Sequence, residues 1–526
     1  MTNSVENNRG KTGIIGLFAS MPLSAKLFLL VFIALIPRII VFLQPQIITN
    51  DGILYIKMAK LFSEGKYAGA PGSYFNLYPL MIFFVQRVNG DWELSGRLIS
   101  IILGTLTVIP VFLLGRSLYN ERAGWLSAIF YITLPNFLRF DANVLRDPTL
   151  WFFMVFTFWF VWEGIQKNGF VFFGLASIGG GLGALTRVEG FILWGVLALY
   201  VAFGRSGGIS IKRRTLHLSL LILLFPILVS FILFPLKKDS SRKAFGEMAS
   251  FSLNFIKAHT ASILKPLDPI DAMDPKIYES LPTISHDSLE LASRHRFVLA
   301  IFEVIYKFIK SANLLILLML LGIWKRKKEG FGSSDRHLLY IFAALFIMSV
   351  LYARQLYYFS TRHGLTLVLP CLFFAGQGLD AAVGILSRGT KRLGSGWGLI
   401  RRHLLPILTF LLILIFLFQG LGGEEKEKTT IKEAGLWLKQ NGYQGSVVMG
   451  PKKFFRLAFY ADGSFVQMPD SWEGITVGVR RSGVKIIVID SSTIQQDCPD
   501  FPLNWPKAGL VPLERLKGTT EIYSVP

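Results

Sequence analysis

Long apolar runs constrain this chain more than any other feature of its sequence. A helix rises about 1.5 Å per residue, so roughly 20 apolar residues cross the hydrocarbon of a bilayer. Such runs predict about eleven transmembrane helices, near residues 27–44, 96–117, 123–140, 149–165, 170–186, 190–204, 215–235, 300–324, 337–353, 363–385 and 403–421. The fold class is therefore predicted to be a polytopic α-helical membrane protein.

The composition agrees with this class and excludes several others. Of the 526 residues, 52% are hydrophobic and only 17% are charged, with a mean hydropathy of +0.48. These values exclude a collagen-like, coiled-coil or disordered chain. The two cysteines, Cys371 and Cys498, are too few for a disulfide framework, and no bridge is expected. The net charge of +21 is expected of basic cytoplasmic loops, so it does not indicate nucleic acid as a partner.

Basic residues in the short loops predict the orientation of the chain in the membrane. With the N-terminus in the cytoplasm, the inner loops carry the basic residues of 116–122, 205–214, 325–336 and 388–402, as the positive-inside rule requires. An odd number of spans then places the C-terminal segment outside. Three segments are predicted to face outwards: the loops 45–95 and 236–299, and the tail 424–526.

The tail differs in character from the rest of the chain. Lys432 to Asn441 has the pattern of an amphipathic helix, and short β-rich runs follow at 446–449 and 484–490. The sequence therefore predicts two domains. Residues 1–423 form a transmembrane domain with outer loops 45–95 and 236–299, and residues 424–526 form a small extracytoplasmic α/β domain.

The first outer loop contains the strongest candidate for a catalytic residue. Asp51 stands at the start of a predicted amphipathic helix, and Tyr55 lies one turn later on the same side. A carboxylate at the membrane surface is suited to act as a general base. The alternative is that Asp51 only caps the helix, and the two roles are compatible. Lys60 is a candidate for a phosphate headgroup, although a solvated polar face is the favoured interpretation.

Further polar candidates lie near the predicted outer ends of later spans. Asp147 precedes a proline at the start of a span, where a helix cap is the alternative. Arg187 and Glu189 interrupt an apolar pair of spans, and ionisable groups at membrane depth are usually functional. A structural ion pair is the alternative for these two residues.

The beginning of the tenth predicted span carries Tyr358, Arg362 and His363. Arginine offers a bidentate fork for phosphate, and a neighbouring histidine can donate or titrate. Snorkelling of the arginine and an interfacial belt position for the tyrosine are the alternatives. In the loop 236–299, His286, Asp287 and neighbouring ionisable residues fit no zinc-binding spacing. The sequence gives no support to a metal or another cofactor, although a divalent metal stays open.

These motifs, in this order, resemble the C-type (GT-C) membrane glycosyltransferases. More narrowly, they resemble the protein O-mannosyltransferase and lipid A aminoarabinose transferase branch. The resemblance covers most of residues 25–385 and rests on Asp51, Tyr55, Ala59, Tyr78-Pro79-Leu80, Arg97, Gly115-Arg116, Asp147, Leu185 to Gly190, Arg362-His363 and Leu369-Pro370. One departure is that many relatives follow the first aspartate with glutamate, whereas this chain has Gly52.

The resemblance implies an inverting transferase that takes a sugar from a polyprenyl-phosphate carrier and passes it to an acceptor hydroxyl outside the membrane. The resemblance assigns the catalytic role to Asp51 and favours a site role for Asp147. From the residues themselves, Arg187 and Arg362 are expected to hold the donor phosphate, and Glu189 to orient it. The further substrate-binding candidates are Tyr55, Lys60, Tyr78, Tyr358 and His363. The acceptor is a lipid, a glycan or a protein, and the location is a bacterial inner membrane with a periplasmic C-terminal domain. The alternative from another class is a polytopic transporter or a flippase for lipid-linked sugars.

Overall fold

The structure is a computed structural model of the chain. It describes residues 21–66, 76–203, 210–233, 291, 293–356, 358–391, 398–422, 426–501, 510–515 and 519–525. Most of the predicted outer loop 236–299 lies outside these residues. The chain divides into two compact units. The first comprises Met1–Val41, Met58–Ala142 and Arg146–Leu421, and the second comprises Phe42–Lys57, Asn143–Leu145 and Gly422–Pro526.

The described part of the first unit is helical. Its long apolar runs lack the alternation of apolar and polar residues that is typical of strands, and few helix-breaking residues interrupt them. Helix α1 spans Leu23–Leu43, and α2, Asn50–Ser63, passes from the second unit into the first. The remaining helices are α3 Leu77–Asn89, α4 Trp92–Leu106, α5 Val108–Leu118, α6 Glu121–Thr133, α7 Pro135–Asp141, α8 Asp147–Lys167, α9 Phe170–Thr186, α10 Val188–Phe203, α11 Ile211–Leu233, α12 Arg296–Ala312, α13 Leu315–Glu329, α14 Ser333–Leu356, α15 Thr361–Lys391 and α16 Gly398–Gly420.

Each predicted apolar run coincides with one of these helices or with a consecutive pair of them. Within the described residues, five helical stretches are long and apolar enough to cross a membrane, with α4 and α5 counted together as Trp92–Leu118. The number is six if the bent pair α12 and α13 counts as one span. Three more apolar stretches are shorter, namely Phe170–Thr186, Leu193–Phe203 within α10 and Pro406–Gly420 within α16. The chain is an integral membrane protein, whereas the number of eleven spans stays a prediction.

The run 300–324, predicted as a single span, is instead two helices, α12 and α13, that meet at 104°. The bend occurs at Asn313, which ends α12 with a φ of 54° and a ψ of −145°. A positive φ is uncommon for residues other than glycine, and asparagine adopts one more readily than most. Helix α12 also leaves Phe302, Ile305 and Ile309 exposed along one side. The run therefore contains two helices with a sharp bend between them, rather than one continuous helix.

Two kinds of contact hold the described helices of the first unit together. Helices α13 and α15 cross where Gly322 meets Phe374 and Gly378 meets Leu318, so closely that a Cβ on either glycine would overlap a backbone carbonyl. Small residues permit this approach in membrane helices. Helices α1 and α7 are joined by Arg38, whose Nε donates to Asp141 Oδ2 at 2.8 Å with both side chains fully buried.

The second unit contains a five-stranded sheet with helices. After α17, Lys426–Gln440, the elements are β1 Val447–Gly450, α18 Phe455–Tyr460, β2 Ser464–Gln467, α19 Trp472–Ser482, β3 Val484–Asp490, α20 Ile494–Asp497, β4 Val511–Arg515 and β5 Thr520–Ser524. The strand order is β2-β1-β3-β5-β4. Strands β1, β2 and β3 are parallel, and β5 is antiparallel to β3 and β4. Crossover helices between the parallel strands explain this pattern.

The second unit also holds the segment that leads into α2. The Tyr460 hydroxyl of α18 accepts a hydrogen bond from the Ile48 backbone N–H at 2.8 Å, and both residues are buried. Lys432 Nζ of α17 donates to the Gln46 carbonyl oxygen at 3.4 Å and lies over the Tyr460 ring. Lys57 of α2 lies over the Phe455 ring. The start of α2 is thus fixed by side chains from the C-terminal part of the chain.

Candidate active site

In the first unit, three helix termini bring distant polar residues together. Helix α8 begins at Asp147, α9 ends just before Arg187, and α15 begins two residues before His363. Arg187 has an extended backbone, with φ −149° and ψ 144°, which separates α9 from α10. Gly190 then packs against the backbone of Gly183, where a Cβ would lie 2.6 Å from the carbonyl oxygen. This close turn keeps Arg187 and Glu189 at the junction.

Arg187 is the centre of the resulting cluster, and its side chain is nearly fully buried. Its Nη1 donates to Asp147 Oδ1 at 2.6 Å. Its Nη2 and Nε donate to the two carboxylate oxygens of Glu189 at 2.6 and 3.2 Å. Its Nη2 also lies 2.8 Å from His363 Nε2. A buried guanidinium needs such partners, because an unpaired charge is costly away from water.

Two further arginines border the same cluster. Arg362 Nη1 lies 3.9 Å from Asp147 Oδ2. Arg146 Nη1 donates to the Thr186 carbonyl oxygen at 3.5 Å and acts electrostatically on Asp147 and Glu189. Three guanidiniums therefore face two carboxylates, which leaves an excess of one positive charge when His363 is neutral. Such a cluster favours an anion, and arginine suits phosphate in particular.

A pocket opens beside this cluster. The pocket and the solvent at its open side together span about 450 Å³, and Arg187, Glu189 and His363 form part of the wall. Apolar side chains form much of the remainder, namely Leu150, Met154, Leu193, Leu345, Met348 and Phe359. The pocket thus combines a charged group of residues with an apolar lining. This combination matches an amphipathic ligand that has an anionic head and a hydrocarbon chain.

In the second unit, Asp51 lies in the first turn of α2 and is half-buried. The cap of this helix is Thr49, whose Oγ1 accepts from the Gly52 backbone N–H at 3.0 Å. Thr49 therefore supplies a capping hydrogen bond at this helix start. An acidic group in the first turn also interacts favourably with the helix dipole. The hydrogen bond to the Gly52 N–H thus does not depend on the carboxylate of Asp51.

The glycine that departs from the family pattern has a packing reason. A Cβ at Gly52 would lie 2.8 Å from Ile48 Cγ1 and 3.0 Å from both the Cβ and the carbonyl oxygen of Val144. Thr49 Oγ1 also reaches the Val144 carbonyl oxygen, at 3.5 Å. The start of α2 therefore packs tightly on Val144, and a glutamate at position 52 would not fit this arrangement without a shift.

The other predicted substrate-binding residues have different surroundings. Tyr55 is buried in the second unit. Lys60 and Tyr358 are exposed in the first unit. This exposure fits the solvated face that is the alternative for Lys60 and the interfacial position that is the alternative for Tyr358. Tyr78 is fully buried, and its hydroxyl contacts the Gly96 carbonyl oxygen and Ser100 Oγ at 2.9 Å each. These contacts join α3 to α4 and give Tyr78 a structural role.

Sequence reasoning missed Arg146 as a member of the cluster. The sequence did contain an indication of this role. Arg146 directly precedes Asp147, so both residues lie at the same helix N-terminus. For metals, the described part of the chain contains no group of three or more His, Cys, Asp or Glu side chains that could hold an ion.

Comparisons with known proteins agree with this arrangement of helices. A family profile described as dolichyl-phosphate-mannose-protein mannosyltransferase matches residues 76–233. No curated protein sequence matches the chain. Among solved structures, ArnT from Cupriavidus metallidurans bound to undecaprenyl phosphate is 14% identical, with a TM-score of 0.57 over 96% of this chain and 99% of that chain. The archaeal oligosaccharyltransferase AglB from Archaeoglobus fulgidus, in complex with an inhibitory peptide and a dolichol-phosphate, is 13% identical.

AglB aligns with a TM-score of 0.55 over 96% of this chain and 74% of that chain. At these identities the two alignments establish the fold, and the family profile independently covers the segment that contains Asp147, Arg187 and Glu189. The resemblance inferred from the sequence motifs is confirmed. The chain has the fold of the C-type membrane glycosyltransferases and resembles their ArnT-like and protein mannosyltransferase-like branch.

Proposed function

We propose that this protein is an inverting glycosyltransferase that moves a sugar from a polyprenyl-phosphate carrier to an acceptor hydroxyl on the outer side of the membrane. The observation that carries the proposal is the pocket in the first unit, where a buried arginine–carboxylate cluster meets an apolar lining. A polyprenyl-phosphate sugar has the matching chemistry, because it joins an anionic phosphate to a long hydrocarbon chain.

In this proposal the arginines bind and stabilise the phosphate. Arg362 and Arg146 are half-buried at the margin of the cluster, and Arg187 is held by Asp147 and Glu189. The two carboxylates fix the orientation of the Arg187 fork, so that its charge is placed before the substrate binds. Preorganised positive charge lowers the barrier when negative charge develops on a leaving group. Here the leaving group is the polyprenyl phosphate.

Asp51 is the proposed general base. It takes the proton of the acceptor hydroxyl while the acceptor oxygen attacks the anomeric carbon. The bond from that carbon to the phosphate oxygen breaks at the same time, and the electron pair leaves with the lipid phosphate. A single displacement of this kind inverts the configuration of the sugar. Support for this role comes from the position of Asp51 in the first helical turn and from the capping of that helix by Thr49.

The cellular setting follows from the same proposal. ArnT binds undecaprenyl phosphate, and AglB binds a dolichol-phosphate and a peptide. We infer a long-chain polyprenyl phosphate, such as undecaprenyl phosphate, as the carrier and a lipid, glycan or protein as the acceptor. The proposed location is a bacterial inner membrane with about eleven spans, a cytoplasmic N-terminus and a periplasmic domain at 424–526. Surrounding membrane lipids are the remaining partners.

The test is transfer by the purified full-length protein in vesicles that contain a labelled polyprenyl-phosphate sugar. The expected result is that label appears on the acceptor and that nuclear magnetic resonance shows an inverted anomeric configuration. Retention of configuration would contradict the single displacement. Movement of the labelled lipid or of a solute across the vesicle membrane, without transfer to any acceptor, would instead identify a flippase or a transporter.

A further inference from the structure

His363 has a defined place in the pocket wall. It is 8% exposed, and its ring lies edge-on to Tyr352 at 5.1 Å between ring centroids and 5.5 Å from Phe359. Helix α15 begins two residues earlier, at Thr361. The ring is thus packed against aromatic neighbours at the first turn of a long helix.

The contact with Arg187 determines which ring nitrogen carries the proton. Arg187 Nη2 lies 2.8 Å from His363 Nε2. A guanidinium has five N–H donors and no acceptor, so it can only donate in this contact. His363 Nε2 must therefore be the acceptor and carry no proton. The imidazole is then neutral, and its single N–H is on Nδ1.

This assignment leaves a donor without a partner inside the protein. Among the described residues, His363 Nδ1 is buried and has no hydrogen-bond partner. Buried polar groups are nearly always paired, because an unpaired one loses its hydrogen bonds to water without replacement. Because His363 borders the pocket, a bound ligand is the natural source of the missing acceptor.

We propose that neutral His363 donates a hydrogen bond from Nδ1 to a phosphate oxygen of the lipid carrier, and so serves as a phosphate-recognition residue. This inference rests on the proposed function, and it assigns His363 neither as an acid nor as a base. A phosphate oxygen suits the position because Arg187, Arg362 and Arg146 make it favourable for an anion. A lipid source suits it because Leu150, Met154 and other apolar side chains line the same pocket.

Two variants separate the roles of the ring nitrogens. The amide nitrogen of asparagine is bonded to Cγ, as Nδ1 is in histidine, so His363→Asn keeps a donor near the position of Nδ1. The amide oxygen of glutamine is one bond further out, so His363→Gln keeps an acceptor for Arg187 but removes that donor. Both variants are neutral, and each retains one of the two interactions.

The experiment measures the affinity of the purified full-length protein for a polyprenyl phosphate and for the polyprenol of the same length. Wild type is expected to prefer the phosphate. That preference should fall about 10-fold in His363→Gln and by no more than about 3-fold in His363→Asn, because a hydrogen bond to a charged group is lost only in the former. Inorganic phosphate is expected to compete only weakly, and equal affinity for it would overturn the lipid source.

An equal effect of both variants, or no effect of either, would overturn the role of Nδ1 and leave the proposed function standing. A wild-type protein with no preference for the phosphate would remove the proposed function, and this inference with it. A measurement on wild type needs no variant to fold: ¹⁵N resonance of the His363 ring should show a protonated Nδ1 and an unprotonated Nε2. The reverse tautomer, or a ring protonated on both nitrogens, would contradict the assignment.

Discussion

Tight packing at Gly52 explains why this chain has no second carboxylate next to Asp51. The position next to the proposed base is occupied by a residue without a side chain, because Ile48 and Val144 lie against it. Thr49 Oγ1 accepts a capping hydrogen bond from the Gly52 N–H. The paired carboxylates of many relatives are therefore replaced by one carboxylate on a closely packed helix start, and a single base is sufficient for the proposed displacement.

Gly52→Ala is expected to destabilise the protein and to slow transfer. The added Cβ would lie 2.8 Å from Ile48 Cγ1, and overpacking of this kind costs about 1–3 kcal/mol. The measurements are the melting temperature in detergent and the rate of sugar transfer. Gly195→Ala is the matched control, because it also lies in a helix and a Cβ there has no neighbour within 4 Å. An unchanged rate and melting temperature in Gly52→Ala would show that the helix start tolerates a side chain.

At the scale of elements, the C-terminal part of the chain positions the beginning of α2. Tyr460 lies on α18, and its hydroxyl accepts from the Ile48 backbone N–H just three residues before Asp51. Lys432 of α17 reaches the Gln46 carbonyl oxygen nearby. These contacts provide the sheet-containing unit with a specific role, which is to fix the helix that carries the proposed base.

Tyr460→Phe is expected to loosen the start of α2 without unfolding the unit. Removing the hydroxyl leaves the buried Ile48 N–H without this acceptor, at a cost of about 1–3 kcal/mol. Hydrogen exchange should become faster at residues 47–52, and the catalytic rate should fall while the affinity for the lipid carrier stays the same. Tyr443→Phe is the control, because it removes a hydroxyl from a ring that stacks on Trp437 in the same unit. Unchanged exchange at 47–52 in Tyr460→Phe would contradict this role.

The positions of the apolar helices could be predicted from the sequence, whereas the bend between two of them and the contacts between their side chains could not. Apolar runs located the helices because bilayer thickness and helix rise fix their length. The bend at Asn313 was not predicted, because it depends on one residue with a positive φ inside an otherwise continuous run. The ion pair between Asp147 and Arg187 joins residues that are 40 positions apart. A local sequence pattern cannot predict such a pair. The structural role of Tyr78 likewise depends on Gly96 and Ser100, which lie on another helix.

At the scale of the whole molecule, the described helices of the first unit depend on close backbone crossings. Helices α13 and α15 meet through Gly322 and Gly378, with each glycine against a carbonyl of the other helix. Within a bilayer, packing of this kind stabilises helix association in place of the hydrophobic effect. Arg362 and His363 lie in the first turn of α15, so the crossing fixes the long helix whose first turn contributes to the pocket.

Gly378→Leu is expected to prevent this crossing and to abolish folded protein. The side chain would overlap the Leu318 carbonyl, and a backbone atom cannot move aside as the end of a side chain can. Yield and size-exclusion profile of the detergent-solubilised protein measure the effect. Gly384→Leu, on the same helix but with no neighbour within 4 Å of the added Cβ, is expected to fold normally. Equal yields of the two variants would contradict the importance of the crossing.

The most direct test of the proposed mechanism is the single-turnover rate of sugar transfer by Asp51→Asn. The account predicts a loss of about 10²- to 10⁴-fold, because the acceptor proton no longer has its base. Asp470→Asn, which removes an exposed carboxylate from the same unit, should transfer at the wild-type rate. Equal rates for Asp51→Asn and wild type, with lipid binding intact in both, would remove Asp51 from the chemistry and contradict the account.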